Sequence, residues 1–247
     1  MRTAPRTPLY LFVVMWVLVG LYTTLEPSAQ ARRPTQTVAK LKPWMAGLPH
    51  YDVVIDGKKH RLFFTIDDHP GRYTAAYLAE LRQHGIKATF FLVAYDLYAY
   101  LRSPDYEPLK SRILAIKQAV KDGHVMGNHS ITHGLLCKMP AAKVRWEVRG
   151  AQQLIKRVLG IEVKYWRPPH GHICRTAQSQ AAALHLTTVM WDVDDYRSTP
   201  QSMLRVVRRR AKAGDEYTIV LFHNKISKFK TFLHLIDQLR PKLPLRN

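Results

Sequence analysis

Residues 62–94, LFFTIDDHPGRYTAAYLAELRQHGIKATFFLVA, decide how the rest of the chain is read. Leu62 to Ile66 is a short apolar run suited to a strand. From Tyr73 to His84 the apolar positions Ala76, Tyr77 and Leu81 recur at helical spacing, and Gly85 supplies a stop. Ala88 to Ala94 (ATFFLVA) then reads as a buried strand. A strand, a helix and a second strand in so short a segment imply parallel pairing through a crossover helix.

Working outward, the alternation continues. Leu109, Ile113, Ile116 and Val120 mark one helix face ended by Gly123, and Val125 to Asn128 is a strand tip. Val144, Val148, Ala151, Ile155 and Val158 form a long helical stripe ended by Gly160. Glu162–Trp166, Thr187–Val193 and Tyr217–Phe222 read as further strands, with helices over Ala177–Leu184, Gln201–Ala213 and Phe229–Leu239. A barrel and an open doubly wound sheet are the two architectures this α/β pattern allows, and no internal repeat suggests a third. In either, chemistry gathers at the C-terminal ends of the strands.

The segment ahead of this pattern reads as an address. Met1 to Thr7 carries Arg2 and Arg6 without an acid, Leu9 to Leu21 is apolar throughout, and Ala29-Gln30-Ala31 precedes Arg32. These are the three parts of a secretory signal peptide, with an uncleaved anchor as the alternative. The expected organisation is a signal peptide over 1–31, a linker and N-terminal extension over 32–60, and a catalytic domain over 61–247. An exported location, periplasmic or extracellular, follows.

Composition narrows the class. The 247 residues hold 38 Lys+Arg against 18 Asp+Glu, a net charge of +20, and 47% of them are apolar. That is enough for a packed core, and no apolar run reaches the roughly 18 residues of a membrane-spanning helix. The two cysteines, Cys137 and Cys174, exclude a four-Cys zinc site. In an oxidising compartment a disulfide between them is allowed, and closing that loop would be worth about 4 kcal/mol in the chain-entropy picture.

Reading the strand ends in order gives Asp67-Asp68, His129 with His133, Arg167, Asp192 to Asp195, and His223. The i, i+4 spacing of His129 and His133 can present two imidazoles to one metal ion. Adjacent carboxylates leaving a strand diverge, so one can bind metal while the other faces substrate. Two His and one Asp leave coordination positions open, which marks a catalytic site. An ion there would acidify a bound water, the spare carboxylate would serve as general base, and a His would serve as general acid.

Thr65-Ile66-Asp67-Asp68-His69-Pro70, His129-Ser130-Ile131-Thr132-His133, Arg167-Pro168-Pro169-His170-Gly171 and Leu221-Phe222-His223 together resemble the ordered motifs of the polysaccharide deacetylases, the NodB-homology domain of carbohydrate esterase family 4. The resemblance implies an incomplete (β/α) barrel and metal-dependent removal of N-acetyl groups from an amino-sugar polymer. It implies Asp67 as general base, Asp68, His129 and His133 as ligands of a divalent metal, commonly zinc, and His223 as general acid. Arg167 would orient the base, and the backbone N–H of His170 would stabilise the oxyanion. Asp195, in Asp192-Val193-Asp194-Asp195-Tyr196, would support His223, although a register anchored on Val193-Asp194 would put Arg197 there instead.

This chain departs from the family pattern at four places. Ile66 replaces Phe, His69 replaces Gly, His170 replaces an aromatic residue, and Tyr196 replaces Trp. His69 is expected to reshape the rim, and Trp166 and Trp191 to line the cleft, whereas Trp146 reads as core. The cluster Arg205, Arg208, Arg209, Arg210 and Lys212, with Lys225, Lys228 and Lys230, would suit an anionic envelope surface or merely a solvated face. Charge alone predicts salt-sensitive, non-specific nucleic-acid affinity and no specific nucleic-acid partner. A monomer is expected. The competing functions are a non-catalytic basic glycan- or envelope-binding module on the same scaffold, and an iron(II) oxygenase, which also uses two His and one carboxylate.

Overall fold

Asp56-Gly57 is a two-residue turn with both φ angles positive, 51° and 75°, as a tight hairpin of this twist requires. It joins β1 (Tyr51–Ile55) to the start of β2 (Lys58–His69), antiparallel, with Ile55 opposite Lys58. The computed structural model describes residues 39–240, so the expected signal peptide and the first part of the expected linker lie outside the described residues. The remainder of that linker is ordered. Met45 and Leu48 bury against Phe63 and Tyr217, and Ala39 N–H and Leu41 N–H donate to Asp215 and Glu216. Residues 51–60 belong to the sheet, ahead of the boundary expected at 61, and the Asp-Gly pair was the signal for it.

After β2 the elements alternate as α1 (Thr74–Gln83), β3 (Thr89–Leu92), α2 (Tyr95–Arg102), α3 (Glu107–Lys121), β4 (Val125–Asn128), α4 (Ala141–Leu159) and β5 (Tyr165–Trp166). Then come α5 (Arg175–Ala182), β6 (Thr187–Thr188), β7 (Val193–Asp194), α6 (Pro200–Lys212), β8 (Tyr217–Phe222) and α7 (Ile226–Asp237). Helix α2 had no counterpart in the sequence reading. The strand expected over Thr187–Val193 is instead two short strands. Its first end pairs with β5 and its second with β8, so residues 189–192 pass from one edge of the sheet to the other.

The strand order is β6-β5-β4-β3-β2-β8-β7, every neighbour along it parallel. From β2 to β6 the strands step in one direction, without the reversal that marks a doubly wound sheet. The sheet curls into a half-barrel with helices around it.

Strand parity divides the core. Phe63, Phe91, Tyr165, Tyr217 and Ile219 fill the interior, closed at the bottom by Met45 and Leu48. The intervening residues Phe64, Ile66, Phe90, Trp166 and Phe222 face the helices, where Phe64 and Phe222 meet Phe229 and Phe232 of α7. The interior cluster supports the site from below. The outer one holds the helices to the sheet.

Candidate active site

Along β2, Thr65 and Asp67 follow Phe63 on the interior side. Strict alternation would send Asp68 outward. Instead the β2–β3 register shifts between Ile66 and His69, and Asp68 takes a left-handed φ of 63°. A bulge of this kind re-aims a side chain. It turns Asp68 to the same side as Asp67, so the two carboxylates converge rather than diverge as expected. His69 then falls on the outer side, buried between Tyr77 and Phe90 with ring centroids 5.4 and 5.3 Å away. Its Nδ1 lies 2.8 Å from Thr74 Oγ1. That hydroxyl already gives its proton to Gly71 O, so His69 is the donor. His69 is therefore core and does not shape the rim; burial holds its pKa down at about 3.

The second group follows β4. His129 Nδ1 donates to Arg167 O at 2.7 Å, which leaves the Nε2 lone pair facing the carboxylates. Nε2 lies 3.5 Å from Asp67 Oδ2 and 3.8 Å from Asp68 Oδ1, and His133 Nε2 is 3.4 Å from the same Asp68 oxygen. One ligand atom each from Asp68, His129 and His133 lies within 4.8 Å of the others. Asp68 Oδ1 is buried and, among the described residues, has no hydrogen-bond donor. A buried, unpartnered carboxylate oxygen between two imidazole nitrogens fits a divalent cation.

A carboxylate that the sequence reading missed positions this turn. Glu147 on α4 is fully buried and accepts the N–H groups of Ile131 and Thr132 at 2.9 Å and the Thr132 hydroxyl at 2.6 Å. Its signal was a charged residue within the buried stripe between Val144 and Val148. Asn128 adds to the turn: Nδ2 donates to Val148 O, and Oδ1 accepts Ser130 N–H. Ser130, His133 and His170 share the left-handed backbone of Asp68, which concentrates strained non-glycine residues around the cluster.

Arg167 follows β5 and is wholly buried with every arm engaged. Nη1 donates to Asp67 Oδ1 at 2.8 Å and to Thr65 Oγ1 at 3.0 Å, Nε to Val189 O, and Nη2 to Met190 O. The guanidinium stacks 4.3 Å from the centre of the Phe91 ring. Burial raises the Asp67 pKa despite the opposing pull of Arg167. Burial likewise holds His129 down at about 3 and lowers His133. In all three the largest influence is burial, which disfavours the charged form.

At the end of β8, His223 Nδ1 lies 2.7 Å from Asp195 Oδ1, and its backbone N–H donates to the other oxygen at 3.2 Å. Asp195 is fully buried. Burial alone would lower the His223 pKa, but the bond to Asp195 and the charges of Asp67, Asp195 and Asp68 outweigh it, and the net shift is upward. The register is thereby that of Asp195, not Arg197. Asp194 instead accepts the N–H groups of Tyr196 and Arg197, and Asp192 accepts Ile219 N–H and pairs with Arg210.

His170 is exposed, with φ 59°, and its Nε2 donates to His133 O at 3.1 Å. Trp191 is half-buried beside it, close enough that a Cβ on Gly171 would meet its ring at 2.6 Å. Trp166 does not line the cleft: strand parity turns it outward, and its Nε1 donates to Thr188 Oγ1. Trp146 is not core, being 46% exposed with Lys143 Nζ 3.4 Å over its ring. Cys137 and Cys174 are bridged, Cα atoms 5.6 Å apart, tying the segment after His133 to the one after His170. Of the basic cluster, Arg210 is bound to Asp192 and Asp215, Lys228 to two carbonyls, and Lys230 to Glu80, while Arg205, Arg208 and Arg209 remain exposed on α6.

Comparison with known proteins agrees with this arrangement. A peptidoglycan-N-acetylglucosamine deacetylase of Bacillus cereus is 30% identical over 137 residues, covering 55% of this chain and 46% of that protein. The chain spans about half or less of the length of such curated relatives. A family 4 carbohydrate esterase from Streptomyces lividans, solved with acetate, superposes with a TM-score of 0.59 at 26% identity over 72% of this chain and 86% of that one. A mutant of a Bacillus anthracis family 4 pseudoenzyme with restored activity gives 0.57 at 26% identity, over 72% and 62%. The family model for polysaccharide deacetylases matches residues 55–189, more than half of the sequence, and the chain belongs to that family.

Proposed function

We propose that the chain is an exported, metal-dependent hydrolase that removes N-acetyl groups from an amino-sugar polymer. The observation that carries this reading is the unpartnered Asp68 Oδ1 between the Nε2 atoms of His129 and His133, with Asp67 and His223 close by. Asp68, His129 and His133 would hold the ion, and zinc suits one carboxylate with two imidazoles. When bound, the ion supplies polarisation of the amide oxygen and a more acidic water.

The chain's own groups do the rest. Asp67, oriented by Arg167, accepts a proton from the attacking water as the new C–O bond forms. The backbone N–H of His170 would stabilise the oxygen that gains negative charge. His223, held through Nδ1 by Asp195, delivers a proton from Nε2 to the departing nitrogen as the C–N bond breaks, giving acetate and a free amine. Export is supported by the basic–apolar–small pattern of the first 31 residues and is compatible with the disulfide.

Acetate release from acetylated amino-sugar oligomers tests the reading. Chelation is expected to abolish it and one equivalent of zinc to restore it, with His133→Ala binding less than one equivalent. Undiminished release from demonstrably metal-free protein refutes metal dependence. Glycan binding with neither metal nor turnover would favour the non-catalytic module.

A further inference from the structure

The three proposed ligands are not secured equally. The His129 side chain is 2% exposed and is held through Nδ1 by Arg167 O, whereas that of His133 is 29% exposed. Asn128 and Glu147 hold residues 130–132, one step short of His133. His133 itself takes a left-handed φ of 57°, which a non-glycine residue keeps where its surroundings impose it. Its N–H donates to Ser130 Oγ and its carbonyl accepts His170 Nε2, each at 3.1 Å. The His133 and His170 rings lie 4.4 Å apart.

The second of those bonds is as firm as His170, which stands exposed in a loop of two consecutive left-handed residues, His170 and Gly171, at 59° and 69°. His172 and Ile173 beyond it are exposed as well. The disulfide closes this arrangement. Cys137 follows His133 by four residues and Cys174 follows His170 by four. The covalent bond between them joins two exposed segments into one small ring that includes the His170–His133 hydrogen bond. Neither segment can withdraw without carrying the other.

We propose that the Cys137–Cys174 bridge is a positioning element for the metal centre. It acts through the His170 contact to keep His133 in place, so the chain with free thiols holds zinc weakly. This rests on the metal-dependent reading above and deepens it with a redox condition. Cys137 is exposed, so thiol–disulfide exchange can reach it: the two thiols give up their hydrogens to an exchanging disulfide, which leaves as two thiols as the new S–S bond forms.

The test titrates the full-length chain with zinc alone against a chromophoric chelator, under conditions where circular dichroism shows every variant folded. The oxidised wild type is expected to bind one equivalent. The double variant Cys137→Ser, Cys174→Ser should bind it about ten- to a hundredfold more weakly, the usual cost of removing support from a metal ligand. Wild-type protein reduced after folding and capped with iodoacetamide should show the same loss, and it replaces the double variant if that fails to fold. Ile236→Ala truncates the core at the far end of α7, lowers stability without touching either segment, and should keep wild-type affinity. In a His133→Ala background, removing the bridge should change the residual zinc affinity by less than about twofold.

Equal affinity with and without the bridge, an equal loss in Ile236→Ala, or an undiminished loss in the His133→Ala background overturns the inference. Zinc binding and acetate release by the oxidised chain in any of those cases leave the hydrolase reading standing. An oxidised chain that binds no zinc refutes the metal centre itself, and the inference with it. Bridge-dependent zinc binding without acetate release supports the inference and counts against the catalytic reading.

Discussion

The pairs Asp67–Arg167 and His223–Asp195 both adjoin the Asp68–His129–His133 cluster, and each joins a carboxylate to a cationic or basic partner. In the first the cation is the anchor: Arg167 is fully buried and its three nitrogens make four hydrogen bonds, to Asp67, Thr65 and two carbonyls. In the second the carboxylate is the anchor: Asp195 is fully buried, while the His223 side chain is 25% exposed. Each pair leaves the member proposed to exchange a proton nearer the cluster or solvent and fixes the other in place. The comparison teaches that the job of a carboxylate here follows from which partner is immobilised, not from residue type. Both reactive members also have raised pKa values, for different reasons: desolvation for Asp67, the Asp195 partner for His223.

Removing the reactive member of the first pair should do the most. Asp67→Asn is expected to cut kcat for acetate release about 10³-fold with the fold intact, read by steady-state kinetics alongside a melting curve. Full activity would mean that Asp67 only balances the charge of Arg167.

Removing its anchor should cost stability instead. Arg167→Ala strands the Asp67 charge and two carbonyls, and about 3–5 kcal/mol of destabilisation is expected in urea unfolding. Adding Asp67→Asn should return part of that loss, because the stranded charge is gone. A strictly additive double variant would break the idea of a coupled pair.

The second pair should respond more gently. Asp195→Asn removes the hydrogen bond and charge that raise His223, so the group would lose its proton at lower pH. The alkaline limb of the pH profile of kcat/KM is expected to move to lower pH, with a smaller loss at its maximum than in Asp67→Asn. By linkage, the raised His223 pKa stabilises the fold fully below the ordinary histidine value of about 6.5, and that contribution fades as pH rises through the folded value. An unmoved limb would remove His223 from the role of acid.

Much of this was legible in the sequence because strand ends announce themselves. An apolar run followed at once by Asp67-Asp68, His129, Arg167 or His223 states both the strand and the charge at its mouth, and the structure brings all of these together. Parity was harder to read. Trp166 beside Arg167 looks equally available to the cleft, and only the alternation of interior Tyr165 and Arg167 shows that it faces the helices. The bulge at Asp68 was hidden because its left-handed step falls on an ordinary aspartate rather than a glycine. Glu147 and helix α2 were missed for a related reason: a lone charge in an apolar stripe and an eight-residue helix carry weak periodic signals.

The left-handed step at Asp68 also makes β2 intolerant of one kind of change. The proposed proton acceptor and the proposed ligand are consecutive in the chain, and which residue takes which place depends on where the kink falls. Adding or deleting a single residue between Ile66 and His69 would reassign both jobs at once, with no graded intermediate. Spacing, more than chemistry of the side chains, is what this stretch has to keep.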